Sequence, residues 1–177
     1  CLTMRFFGSA LRFPHEQGGF RDLMAVDAAQ CVPLTNPEVT LAEAACAEPL
    51  AVCLHALNRA GAMVGNLAGK RVLVTGAGPI GALTAAALHH AGAGQIVITD
   101  LENYPLDIAR QMGATETVNV RTDAARLDAF AAGKGLFDLA FECSAAPSAI
   151  KAAVMATRPQ GAVIAVGVAG DVAVPLN

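Results

Sequence analysis

The run RVLVTGAGPIG at residues 71–81 constrains this chain more than any other feature. A short β-branched segment, Arg71–Thr75, enters a turn with glycine at 76, 78 and 81, and an alanine-rich segment, 79–91, leaves it. The first reads as a strand and the second as a helix. Gly76 permits a tight turn, Gly78 leaves the backbone open to close approach, and Gly81 allows the helix to pack against the strand. Pro79 suits the first helical turn, where its missing N–H costs no helical hydrogen bond. A ligand phosphate resting on such a turn meets unpaired N–H groups and the positive end of the helix dipole. Gly76, Gly78, Pro79, Ile80 and Gly81 are therefore the candidate phosphate contacts.

The pattern around the turn sets the fold class. Strands are expected at Gln95–Thr99, Glu116–Val120, Leu136–Glu142 and Gly161–Val168, in addition to Arg71–Thr75. Between them fall helical segments at 106–112, 123–132 and 147–157. Strands alternating with short helices predict βαβ units and an α/β, doubly wound parallel sheet of the Rossmann type. Upstream, Thr40 and Glu43 have capping-box spacing for a helix start. The pair Glu48-Pro49 predicts an interruption, because a residue before proline is disfavoured in helical conformation. A second helix is then expected from Pro49 to about Ala60, ending at Gly61.

Asp100 closes the second strand, 19 residues after Gly81. An acid there accepts hydrogen bonds from an adenosine ribose, and its charge repels a 2′-phosphate. Glu102 adds to that repulsion, and no arginine or lysine follows within several residues, so NAD is expected rather than NADP. Ligands of open parallel sheets lie beyond the carboxyl ends of the strands. Cys143 with Ser144, and Val166, Gly167 and Val168, therefore complete the candidate cofactor pocket. A purely structural glycine turn, or another nucleotide such as S-adenosylmethionine, would leave the same local pattern.

A net charge of −3 without a basic stripe argues against nucleic-acid binding. No apolar run approaches the roughly 18 residues of a membrane span, and no signal peptide is apparent. Five scattered cysteines do not form a disulfide framework and fit a reducing, cytoplasmic setting.

Taken in order, EPLAVCLHALNRAG, KRVLVTGAGPIG, VITDL, FECS and AVGV resemble the zinc-dependent medium-chain alcohol and polyol dehydrogenases, nearest the sorbitol dehydrogenase branch. The segment MRFFGSALRFPHEQGGF is similar to the L-idonate 5-dehydrogenase subgroup. The resemblance covers nearly the whole chain. It implies that residues 1–47 are the tail of a β-rich, GroES-like catalytic domain and that 48–177 form an NAD-binding domain lacking its last strand. It implies NAD and Zn2+ as cofactors, and oxidation of a polyol or sugar acid, L-idonate to 5-ketogluconate, by hydride transfer to nicotinamide. Zinc would act as a Lewis acid on the substrate oxygen. Glu48 matches the family glutamate near the catalytic zinc, and Cys1 matches the last of four structural-zinc cysteines. Family members commonly assemble as dimers or tetramers, so a homo-oligomer is expected.

His55, seven residues after Glu48, is most simply a packed or hydrogen-bonded histidine, and His89-His90 a solvated pair favoured at a helix end. His15 stands in the subgroup segment. Pro105 occupies the position where the polyol branch often carries an arginine over the adenine. The chain begins at Cys1 and stops just after an apolar strand, so it is expected to be part of a longer protein. The family's upstream catalytic cysteine, histidine–glutamate pair and proton relay are not in the sequence, and the chain alone is expected to be inactive. Two other readings stay open, a non-catalytic nucleotide-binding or oligomerisation module and a zinc-free, NADPH-dependent reductase.

Overall fold

The computed structural model describes residues 6–9, 13–168, 170–171 and 173–174. The chain divides into two compact units, Cys1–Thr40 and Leu41–Asn177. In the first, Gly8 N–H donates to Gln17 O (3.0 Å) and Glu16 N–H to Ser9 O (3.1 Å), joining the turn at residues 7–8 to residues 16–17. A 3-10 turn at Ala28–Gln30 follows, capped by Asp27, whose side chain accepts from Ala29 N–H.

The second unit is a Rossmann-type α/β sheet. Its elements run α1 (Leu41–Ala44), α2 (Ala47–Val64), β1 (Arg71–Thr75), α3 (Pro79–His90), β2 (Gln95–Asp100), α4 (Asn103–Gln111) and β3 (Glu116–Asn119). Then follow α5 (Ala125–Ala131), β4 (Phe137–Glu142), α6 (Pro147–Ala156) and β5 (Thr157–Ala165). All pairings are parallel, in the order β3-β2-β1-β4-β5. Crossing from β3 at one end to β4 beyond β1 reverses the direction of winding, which opens a crevice at the carboxyl ends of β1 and β4.

Successive strand residues face opposite sides of a sheet, so an apolar run buries both faces. Val72, Val74, Ile96, Ile98, Leu139 and Phe141 pack with Leu57, Leu88 and Leu106 of α2, α3 and α4. Leu73, Val97 and Ala140 pack on the other side with Phe130, Phe137 and Ala153. The rings of Phe130 and Phe137 meet edge to face at 5.1 Å. At the opposite edge of the sheet, Asp138 accepts from Arg71 N–H (2.7 Å) and from Arg158 Nε (2.8 Å), tying the starts of β1, β4 and β5.

Three local expectations are corrected. The break before α2 falls at Ala45-Cys46 rather than at Glu48-Pro49. Pro49 lies inside the first turn of α2, where backbone donors are unpaired anyway, so its missing N–H is harmless. Gly61 does not end that helix; Gly65, with φ 76°, does. Finally, β5 begins at Thr157, directly after α6, instead of at Gly161. Between the pairs Phe137↔Thr157 and Leu139↔Ala162, two steps along β4 match five along β5. The surplus forms a bulge, with Gln160 at φ 64°. Val166, Gly167 and Val168 consequently follow the strand rather than end it. Among the described residues, no helix is long and apolar enough to cross a membrane.

Candidate functional site

The glycine turn is fixed from three sides. Gly76 N–H donates to Thr99 O (2.8 Å), and Cys143 N–H donates to Thr75 O (2.8 Å). Ala77 N–H donates to Asp100 Oδ2 at 2.7 Å. The turn is thereby held to the ends of both neighbouring strands. Gly76 sits at φ 91°, and a Cβ there would come within 3.0 Å of the Ser144 side chain. A Cβ on Gly81 would lie 1.8 Å from Gly76 O, so helix and turn touch backbone to backbone. Gly78, the N-cap of α3, has nothing within 4 Å of its Cβ position. Open space there is what a ligand approaching the helix start requires.

Beside this turn lies a cavity of about 150 Å³ at the carboxyl ends of β1–β4. Gly76, Asp100 and Ser144 line it with apolar neighbours that include Leu101, Val120, Leu127 and Ala149. Asp100 is anchored at both oxygens, because Oδ1 accepts from Glu102 N–H at 3.0 Å while Oδ2 takes Ala77 N–H. A mainly apolar slot with one fixed carboxylate at its mouth is a common form of small-ligand site.

The feature absent from the sequence reading is Glu142. This last residue of β4 is 1% exposed. Its Oε1 accepts from Ser144 Oγ (2.6 Å), Ser144 N–H (2.8 Å), Ala145 N–H (3.0 Å) and Thr75 Oγ1 (3.3 Å). Its backbone carbonyl accepts from both Val166 and Gly167 N–H at 2.8 Å. Gly167 packs so closely that a Cβ would stand 2.6 Å from Ala145 N. One acid thus gathers the ends of β1 and β4 and the residues after β5. The sequence signal was available, as an acid closing the apolar run LFDLAFE, but one of its partners, Thr75, comes from a strand 67 positions away.

Cys143 does not line the cavity; its thiol faces the core around α2 and α3. Burial pushes that thiol up to about 12, against a smaller opposing effect of Thr84, with Cys53 and Glu142 adding to the rise. Cys53, also raised by burial, donates its S–H to Ile80 O at 3.4 Å. The Thr84 hydroxyl between them is fully enclosed and makes no hydrogen bond of normal geometry. The thiolate being the reactive form, iodoacetamide at pH 8 is expected to modify exposed Cys31 and Cys46 while Cys53 and Cys143 stay intact. Peptide mass mapping reads that order. A folded-state value above the ordinary 9.0 means the unfolded chain loses its proton first as pH rises. Cys143 therefore withdraws stability from pH 9 towards 12, by about 1.4 kcal/mol per pH unit, with no effect below.

Glu48 is exposed in the first turn of α2, and Cys1 lies outside the described residues. Among the described residues, no three His, Cys, Asp or Glu side chains converge into a metal-binding group. The described residues therefore do not build a zinc site by themselves. His55 is exposed beside Arg59 and Met63, in a groove between α2 and β5. His89 and His90 close α3. His15 is exposed with its ring edge-on to Phe13.

Glu102 departs from its expected role as a bare repelling charge. Arg121, from the loop after β3, reaches it with an N–O distance of 2.7 Å. The nearest basic group is thus brought by the fold from 19 positions further on.

Residues 79–177 match the family described as zinc-binding dehydrogenase. The chain is 42% identical over 173 residues to L-idonate 5-dehydrogenase (NAD(P)(+)) of Escherichia coli K12, covering 98% of this chain and 48% of that protein. It is 36% identical over 157 residues to L-threonine 3-dehydrogenase of Burkholderia ambifaria, covering 87% of this chain and 44% of the relative. The crystal structure of the Escherichia coli L-idonate 5-dehydrogenase superposes with a TM-score of 0.88 over 98% of this chain and 48% of that one. A zinc-binding dehydrogenase of Sinorhizobium meliloti bound to NADP, 30% identical, gives 0.74 over 88% of this chain and 45% of its own. The chain spans about half the length of the curated relatives it matches.

Proposed function

Since the chain belongs to the zinc-binding dehydrogenase family, we propose that it carries the coenzyme-binding part of an NAD-dependent polyol or sugar-acid dehydrogenase. L-idonate is the substrate that the 42% identity favours. The observation carrying this reading is the pairing of the glycine turn with Asp100 across one cavity. Bound NAD would supply the hydride acceptor for an alcohol carbon. The residues of this chain bind and orient it. The N–H groups opening α3 receive the pyrophosphate, with Gly78 leaving room for it and Pro79 and Ile80 continuing the helix. Asp100 accepts from the adenosine ribose hydroxyls, and Leu101 and Val120 cover the base. Val166 and Gly167, held by Glu142, shape the nicotinamide side with Val168, and Cys143 supports that wall from within.

Because the described residues build no zinc site alone, no zinc-dependent step is derived from them. Glu48 is proposed to face a catalytic zinc, and Cys1 to serve one structural site, where the remaining ligands are supplied. Residues 1–47 are proposed to belong to the catalytic domain, 48–177 to the coenzyme domain, and the functional protein to be a homo-oligomer.

Calorimetric titration of the 177-residue chain with NADH and ADP-ribose is expected to give saturable binding, and no heat with either overturns the coenzyme reading. Asp100→Ala removes the ribose acceptor and an anchor of the turn, so affinity should drop at least about tenfold, roughly 1.4 kcal/mol. For substrate, the longer parent is assayed with L-idonate, sorbitol and other polyols. NAD reduction by none of them would end the dehydrogenase proposal.

A further inference from the structure

The rim of the cavity beside Asp100 is a clasp between two loops. Asn119, the last residue of β3, donates its side-chain amide to Asn103 Oδ1 at 2.6 Å, and its own Oδ1 accepts from Arg121 N–H at 3.0 Å. The backbone carrying Arg121 is therefore fastened to the start of α4. From there the guanidinium reaches Glu102 at 2.7 Å, and Glu102 N–H donates to Asp100. Asp100 and Val120, one from each loop, face the same cavity.

Two carboxylates and one guanidinium thus share this rim, and they are not equivalent. Asp100 is locked by two backbone N–H groups and is a fixed negative charge. Glu102 and Arg121 are 67% and 63% exposed, so their pairing is weak and exchangeable. A phosphate on the 2′-oxygen of a ribose held by Asp100 would arrive within this group with a charge of about −1.5 to −2. It would compete directly with Glu102 for the guanidinium, whose fork suits phosphate as well as carboxylate.

We propose that Arg121 and Glu102 set the coenzyme specificity of the site. Arg121 is a latent 2′-phosphate cation, and Glu102 is the competitor that occupies it. The inference rests on the coenzyme reading above and adds the residues that decide between NAD and NADP. Glu102 then acts less by repelling the phosphate than by engaging the guanidinium that would receive it.

The test uses 5′-AMP and adenosine 2′,5′-bisphosphate, which differ only in the 2′-phosphate and need only the adenosine end of the site. Each is titrated calorimetrically into the 177-residue chain and its variants at low salt. The readout is the ratio of the two dissociation constants, bisphosphate over AMP. Both side chains are on the surface, so the variants should fold. Glu102→Gln is expected to lower the ratio about tenfold and Arg121→Ala to raise it about fivefold. With Arg121→Ala already present, Glu102→Gln should move the ratio by no more than about threefold, the part due to charge alone. The proposal is overturned if Glu102→Gln acts equally with and without Arg121, or if neither variant moves the ratio. A wild-type chain that binds AMP while its ratio ignores both variants defeats this inference alone. A chain that binds neither nucleotide defeats the coenzyme reading, and this inference with it.

Discussion

Gly81→Ala should abolish coenzyme binding and lower the unfolding midpoint of the Leu41–Asn177 unit by about 6–12 °C. The added Cβ would sit 1.8 Å from Gly76 O and 2.9 Å from Gly76 C. No side chain can rotate away to relieve this clash, since the opposing atoms are backbone. The turn is itself pinned by Thr99 O and Asp100 Oδ2, so retreat breaks at least one of those bonds. Overpacking of this kind costs about 3 kcal/mol or more, and 1 kcal/mol shifts the midpoint by roughly 2–4 °C at this size. Thermal unfolding followed by circular dichroism, with NADH calorimetry on the same samples, checks both parts. Gly78→Ala is the control for stability alone, because its Cβ meets no protein atom within 4 Å and stands where the pyrophosphate is proposed to lie. Near-native stability for Gly81→Ala would mean that helix and turn are not in backbone contact.

Glu142→Ala should be nearly as damaging, for a different reason. It deletes the shared acceptor of buried Thr75 Oγ1 and of the part-buried Ser144 N–H and Oγ and Ala145 N–H. A buried donor left unpaired costs about 1–3 kcal/mol and part-buried ones less, so a total near 2–4 kcal/mol is expected after partial relaxation. Ala145, at φ 61°, would also lose the bond that holds it in left-handed conformation. Glu142→Gln keeps one acceptor oxygen in nearly the same shape and should recover much of the stability. Denaturant titration of the three proteins separates these cases. Equal losses for the alanine and glutamine variants would shift the explanation from hydrogen bonding to charge.

The parts of the fold written in local pattern were legible in the sequence. Arg71–Thr75 was read at its observed bounds, because a β-branched run beside a glycine turn permits little else. The strand, glycine turn, helix and following strand-end acid together assign Gly76 and Asp100 to one site, and both line one cavity. The errors arose where a distant contact overrode a neighbour rule. Glu48-Pro49 read as a break, yet proline in a first turn displaces no hydrogen bond. The start of β5 is expected at Gly161, whereas pairing with β4 draws Thr157 onward into a bulged strand. Glu142 and Arg121 escaped for the same reason. Their roles depend on β1, β3 and β4 ending at one edge, which sequence spacing does not encode.

The double anchoring of Asp100 bears on how such a site can evolve. One oxygen shapes the glycine turn through Ala77, and the other shapes the entry to α4 through Glu102 N–H. Replacing Asp100 to admit a different coenzyme would deform both at once, so that mutational route runs downhill in fitness from its first step. Glu102 and Arg121 carry no such structural duty in the core. Drift in coenzyme preference among descendants of this protein should therefore be recorded at those two surface positions, with the aspartate left in place as an inherited constraint.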